Sequence, residues 1–307
     1  MATTFQEIHM RVFVTGASGF IGSAVVPNLI AAGHKVVGLA RSDASAKAIA
    51  AAGAQVLRGD LNDVASLKAG AAESEGVIHL GFIHDFNNFE ASVRTDLRAI
   101  ETMGGALEGS GRPFVVASGT LGMAPGRLLT EDVPYNAAAH PRIANAVVAL
   151  GLAQRGVRVS FVRLSPTVHG PNDHGFIATI VDIARQKRVS GYIGEGTNRW
   201  NAVHLLDAAP LFRLALEKAP PGGILHAVGE EAVPTRQIAE VIGRKLGLPV
   251  VSISPDAAGA HFGWMGRFFA LDQPASSMVT QKQLGWTPTH QGLIADLEQG
   301  LYTDTPH

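Results

Sequence analysis

The chain of 307 residues contains no cysteine. That excludes disulfides, a thiol nucleophile and thiolate-held metal. Aromatic residues are scarce, with three tryptophans and three tyrosines. Neither charge sign dominates: 25 Lys and Arg stand against 26 Asp and Glu, a net charge of −1. Nucleic acid and anionic membrane are therefore poor partners. No apolar run reaches the roughly 18 residues of a membrane span. Residues 1–10 are polar and lack the apolar stretch of a secretory signal, so they read as a flexible extension of a cytoplasmic protein. No H-E-x-x-H or comparable ligand spacing occurs, so no metal site is expected. No G-x-S-x-G elbow occurs either, which removes a serine hydrolase.

Glycine, by contrast, is abundant at 35 residues, and apolar residues make up 46% of the chain. Such a composition suits a folded chain with many strand-to-helix turns. Strands are predicted at 11–15, 35–39, 55–58, 76–80, 114–117 and 157–164, and helices at 20–32, 44–52, 63–71, 89–110 and 142–155. This alternation predicts right-handed βαβ units: an α/β fold, a doubly wound parallel sheet with helices on both faces. Beyond Gly170 the rhythm loosens. Helices are predicted at 175–188, 207–218 and 235–246, the last capped by Thr235 and stopped by Gly247 and Pro249. Strands at 224–228 and 250–253 and a helix near 258–271 complete the reading.

The first strand runs into Gly16-Ala17-Ser18-Gly19-Phe20-Ile21-Gly22. Strand, glycine turn and helix in that order form the context of a dinucleotide fingerprint. Gly16 permits the tight turn, Gly19 lets backbone N–H groups approach a pyrophosphate, and Gly22 lets helix and sheet pack closely. The helix N-terminus adds orphan N–H groups and partial positive charge. The second strand ends at Ala40-Arg41-Ser42. An acidic residue there would suit the ribose of NAD(H), whereas Arg41 suits the 2′-phosphate of NADP(H). Asp43 comes too late to point at the ribose. The expected cofactor is NADP(H). The expected organisation is a Rossmann domain over 11–170, to which 198–230 returns, and a smaller C-terminal substrate lobe from 171–197 and 231–307. A small-molecule substrate is expected where the lobe meets the carboxyl ends of the strands.

These residues resemble the short-chain dehydrogenase/reductase superfamily, in its extended epimerase/dehydratase-like branch. The resemblance runs from about Met10 to Leu301. It rests on the glycine turn, Gly59-Asp60-Leu61, Val77-Ile78-His79-Leu80-Gly81, Phe114 to Gly119, Arg163 to Gly170, Ala202 to Asp207 and Leu284-Gly285-Trp286-Thr287-Pro288. It implies cofactor contacts from Gly16, Ser18, Gly19, Phe20, Ile21, Gly22, Arg41, Ser42, Asp60, Leu61, Leu80, Gly81, Phe82, Ser118, Pro166 and Val168. It also implies a homodimer pairing through the helices after the fourth and fifth strands. One departure matters. The family's Y-x-x-x-K would start the helix after the fifth strand, where this chain has Pro141-Arg142-Ile143-Ala144-Asn145-Ala146. Arg142 stands for Tyr and Ala146 for Lys. Tyr135, followed by Ala139 four residues on, does not restore the motif.

A carbonyl substrate still needs a proton donor near the developing alkoxide. Ser118, at the end of the fifth strand, is the first candidate and Thr120 the second; both also suit a turn after a strand. His169 takes the Tyr place of a V-Y-G segment and can donate near neutral pH, or it is a hydrogen-bonded core histidine. Tyr192 sits in a glycine-flanked segment that reads as a loop able to close over substrate, or as a packed aromatic. His84, Asp85 and His174 are weaker candidates, and His79 and His204 read as structural. Tyr192, Trp200, Phe262, Trp264, Phe268 and Phe269 either line an apolar pocket or form the lobe's own core. Arg199 can clamp an anionic substrate. Three functions fit: an NADP(H)-dependent oxidoreductase acting on a small apolar or aromatic carbonyl or alcohol with a non-standard donor; a silent NADP(H)-binding sensor; and a sugar-nucleotide epimerase or dehydratase.

Overall fold

The computed structural model describes residues 9–85, 88–138 and 140–303. Most of the expected N-terminal extension lies outside them, as does Ala139. No helix among the described residues is long and apolar enough to cross a membrane.

Among the described residues, twelve strands occur in chain order: β1 (Arg11–Thr15), β2 (Lys35–Ala40), β3 (Gln55–Arg58), β4 (Gly76–His79), β5 (Pro113–Gly119), β6 (Arg158–Leu164), β7 (Thr167–His169), β8 (Ser190–Ile193), β9 (Arg199–His204), β10 (Gly223–Ala227), β11 (Glu230–Pro234) and β12 (Val250–Ile253). The main helices are α1 (Phe20–Ala31), α2 (Asp43–Ala51), α3 (Val64–Ala72), α4 (Phe89–Leu107), α5 (Pro141–Leu150), α6 (Phe176–Lys187), α7 (Leu205–Lys218) and α8 (Thr235–Leu246).

Seven strands form one sheet in the order β10-β6-β5-β4-β1-β2-β3. β1 pairs in parallel with β2 and β4, and the chain order reverses on the two sides of β1. This is the doubly wound Rossmann sheet that alternation predicts. Valine-rich β1 and β4 are buried on both faces, as central parallel strands must be. Ser42 and Asp63 start α2 and α3 by accepting the amides of Ser45 and Ser66 at 3.1 and 3.2 Å.

Contacts divide the chain into two units. The first comprises Met1–Ser118, Tyr135–Val162 and Ala209–Ile224; the second comprises Gly119–Pro134, Arg163–Ala208 and Leu225–His307. Phe13, Phe114 and Phe161 anchor the core of the first, with Ile100 and Met103 of α4 packed among them. The second has its own core around Trp200, Phe262 and Phe269, and two small sheets, β11-β9-β7 and β12-β8.

Several elements differ from the sequence reading. β7, β8, β9 and β11 are strands of three to six residues, too short for a clear alternation pattern. The segment read as a loop around Tyr192 is β8, paired in parallel with β12. The expected helix near 258–271 breaks at Gly263, whose φ of +58° no helix accommodates. Thr235 lies inside α8 rather than capping it, and its hydroxyl donates to Asn198 Oδ1 at 2.7 Å. The helix expected over 142–155 ends at Leu150 and continues as a 3₁₀ turn to Arg155.

Candidate active site

The glycine turn is shaped from both sides. Gly16 has φ +69°, and a Cβ there would lie 2.8 Å from the Gly81 amide nitrogen. The end of β4 therefore approaches too closely for a side chain. A Cβ on Gly22 would lie 2.2 Å from the Gly16 carbonyl oxygen, so α1 is drawn onto the turn. Gly19 is different. It is exposed, and the one atom a Cβ would approach is Gly16 O, at 3.3 Å. Glycine there leaves the backbone open to the approach of a pyrophosphate. Gly19 is also the N-cap of α1 and supplies no side-chain bond, and no acidic residue occupies the first turn. An uncapped helix N-terminus without an acidic side chain suits an anion. The residues present fit a dinucleotide pyrophosphate, with Ser18 exposed beside them.

The neighbouring strand ends complete the cradle. Arg41 and Ser42 are exposed just past β2. Ser42 caps α2, and Asp43 opens that helix paired to Arg58 at the end of β3. Asp60 is exposed past β3, where its carboxylate accepts the Asn62 amide at 2.6 Å. Leu61 lies against Gly81, which sits between Leu80 and Phe82 at the end of β4. Ser118 is half-buried near the end of β5.

Below the turn runs a directional chain of hydrogen bonds. The Gly81 amide donates to Thr15 Oγ1 at 3.1 Å, so the Thr15 hydroxyl proton is free to go to His79 Nδ1, at 2.6 Å. His79 Nε2 then donates to Asp96 Oδ1 at 3.3 Å. Asn145 Nδ2 donates to the other Asp96 oxygen at 2.8 Å and to Val93 O at 2.9 Å. Thr15, His79, Asp96 and Asn145 are all buried. Burial pushes the Asp96 carboxyl up, but bonding and charge from His79, with Arg142 and Asn145, outweigh it and hold it below the usual range.

That chain ends on α5, one helical turn from Arg142. His140 Nδ1 accepts the Arg142 amide at 3.3 Å and so caps α5. The half-buried Arg142 guanidinium lies 4.0 Å above the centre of the Phe82 ring. Burial pulls its pKa below the ordinary value, partly offset by Asp96 and Tyr135. Ala146 is buried and offers no polar group. Composition alone did not single out Asp96 or Asn145. The usable signal is that Asp96 occupies the apolar stripe of α4 between Val93 and Ile100, where a carboxylate must have partners.

Apart from His84 and Asp85, the remaining candidates belong to the second unit. His169 is fully buried, and its Nδ1 donates to Asp296 Oδ2 at 2.5 Å. Its Nε2 has no hydrogen-bond partner among the described residues. Val168 and Pro166 flank it, half-buried. Tyr192 is half-buried with the Arg236 guanidinium 5.3 Å from its ring centre. Thr120 is buried, its hydroxyl 3.2 Å from Asn201 Oδ1. Arg199 is held by both oxygens of Asp272, with Nη2 at 2.7 Å, so its fork is engaged. Trp200, Phe262 and Phe269 pack on one another as core, whereas Trp264 is 39% exposed. His204 accepts the Leu206 amide at the entrance to α7, at 3.1 Å. His174 Nδ1 lies 3.2 Å from Asn172 O, and Asp85 Oδ1 accepts the Asn88 amide at 3.2 Å.

The fold is shared with proteins of known structure. The profile of the NAD dependent epimerase/dehydratase family matches residues 12–227. The chain belongs to this family. Within it, the chain is an extended short-chain dehydrogenase/reductase, and the family is NAD(P)-dependent. An uncharacterized protein of Schizosaccharomyces pombe is 47% identical over 294 residues, 95% of this chain and 100% of its own length. A ketoreductase of Stigmatella aurantiaca that acts on a farnesylated dihydroquinoline oxide is 27% identical over 83% of this chain and 80% of its own. The dTDP-glucose 4,6-dehydratase of Streptomyces venezuelae, solved with NAD bound, shares the fold at a TM-score of 0.75 and 20% identity, over 95% of this chain and 96% of its own.

Proposed function

We propose that this family member is an NADP(H)-dependent oxidoreductase that reduces a carbonyl, or oxidises an alcohol, of a small substrate. The observation that carries the cofactor choice is the end of β2. Arg41 and Ser42 stand there exposed, and the carboxylate that follows them, Asp43, is paired with Arg58. A guanidinium and a hydroxyl at that position suit a 2′-phosphate. Gly16, Gly19, Gly22 and the start of α1 would hold the pyrophosphate. Asp60, Leu61, Leu80, Gly81 and Phe82 would line the rest. When bound, the cofactor supplies or accepts the hydride. The ketoreductase among the relatives supports carbonyl chemistry.

Fluorescence titration should show NADPH binding at least about 10-fold tighter than NADH. Arg41→Ala should weaken NADPH by about 10- to 100-fold and leave NADH unchanged. Equal affinity for the two cofactors would remove the NADP(H) assignment. Arg142 and Ala146 in place of the family's Tyr and Lys favour a second reading, a cofactor-binding sensor without turnover. Tight NADPH binding with no oxidation across a broad aldehyde and ketone panel would move the assignment there.

A further inference from the structure

Arg142 of the first unit is a half-buried charge where the family carries its Tyr. Its guanidinium stands at the carboxyl edge of the sheet, because Phe82, the ring beneath it, lies three residues past the end of β4. Ligands of open parallel sheets bind along that edge. Among the described residues it makes no ion pair; Asp96 acts on it only through space, with both carboxylate oxygens already taken by His79 and Asn145. A half-buried guanidinium is costly to keep without an anion, and here the structure keeps it in a fixed place. The Phe82 ring lies beneath its Cζ atom. The bond from Asn145 to Asp96, and from there through His79 and Thr15 to Gly81, ties the start of α5 to the cofactor turn. A guanidinium carries a fork of N–H donors, which matches two oxygens of a carboxylate.

We propose that Arg142 is a specificity-determining residue that binds a carboxylate of the substrate, so that this protein acts on oxo acids or hydroxy acids rather than on neutral carbonyl compounds. The inference rests on the oxidoreductase reading above for the reaction, and on Arg142 alone for the substrate class. Arg142 holds the anion; it does not deliver the proton, because a guanidinium does not give up its proton in this pH range.

The test uses the full chain with NADPH. Short 2-oxo and 3-oxo acids are compared with their methyl esters in wild type, Arg142→Gln and Arg142→Lys. NADPH affinity, measured by fluorescence, reports whether each variant is folded and loaded. The expected result is an acid-over-ester preference in wild type. It should be lost in Arg142→Gln through a rise of about 10- to 100-fold in KM for the acids, and partly recovered in Arg142→Lys. NADPH affinity should stay within about twofold. A fall in kcat shared equally by acids and esters would overturn the carboxylate role and place Arg142 at the reacting oxygen. Unchanged constants for both, or a large loss of NADPH affinity, would also overturn it. If wild type oxidises NADPH with none of these compounds, the oxidoreductase reading fails separately. Calorimetric titration of oxamate into the NADP⁺-loaded protein then decides the carboxylate site: binding weakened about 10-fold or more in Arg142→Gln sustains it, and equal or absent binding in wild type overturns it.

Discussion

In the first unit His79 stands between Thr15 and Asp96, while in the second His169, His204 and His290 stand around Asp296 and Asp207. Both groups are built from histidine and carboxylate in protein interiors. The His79 chain begins at the Gly81 amide, against the glycine turn, and ends on the helix that carries Arg142. The His169 group closes on itself. Asp296 accepts from His169 and Gln291, and His290, stacked 4.8 Å from His204, donates to Asp207 at 2.7 Å. Asp207 also accepts the Thr289 and His290 amides, each at 3.0 Å. The difference lies in what each network touches. One is tied to the cofactor turn, and the other joins β7, β9 and the C-terminal segment of its own unit.

The sharpest break of that comparison is the same substitution in each network. Asp296→Ala should cost about 3–5 kcal/mol of stability in urea unfolding, because it leaves His169 buried and without its acceptor. NADPH affinity of the folded variant should not move. Asp96→Ala should cost less, about 1–3 kcal/mol, since His79 keeps Thr15. It should also weaken NADPH measurably, by about fivefold or more, through the turn it supports. If both variants lose stability alike and neither changes NADPH affinity, the distinction between the two networks fails.

A second measurement sharpens the comparison through pH. In the second unit His226 is fully buried between two fixed partners. Its Nδ1 donates to Ser276 O at 2.7 Å, and its Nε2 accepts from Arg163 at 3.3 Å, so a second proton would face a guanidinium. Burial, opposed by Glu131 and Ser276 and aided by Arg163, pulls its pKa down to about 4. The folded value lies below the unfolded one, near 6.5. The stability it contributes is therefore complete above about pH 6.5 and is lost as pH falls towards 4. The loss amounts to roughly 3 kcal/mol. His226→Gln should flatten that slope. Parallel slopes in variant and wild type would remove His226 as the cause.

The parallel sheet and the glycine turn were legible in the chain because their rules are local. β3 and β12 occupy the predicted residues 55–58 and 250–253, and β1 runs straight into Gly16 as its valines and glycine require. Local rules did not reach β7 and β8, whose three and four residues become strands only through pairing with β9 and β12. Nor did they reach His169, whose place beside Asp296 joins residues 127 positions apart.

The sequence by itself determined the strand, glycine turn and helix at Gly16–Gly22, because turn chemistry and helix polarity are properties of neighbouring residues. It also determined that the usual Tyr and Lys are absent, at Arg142 and Ala146. Only the tertiary structure decided what surrounds Arg142. The Phe82 ring, the Asp96 carboxylate and the Asn145 amide come from three separate segments. Whether a buried charge is matched or left available depends on that convergence, which no local pattern encodes.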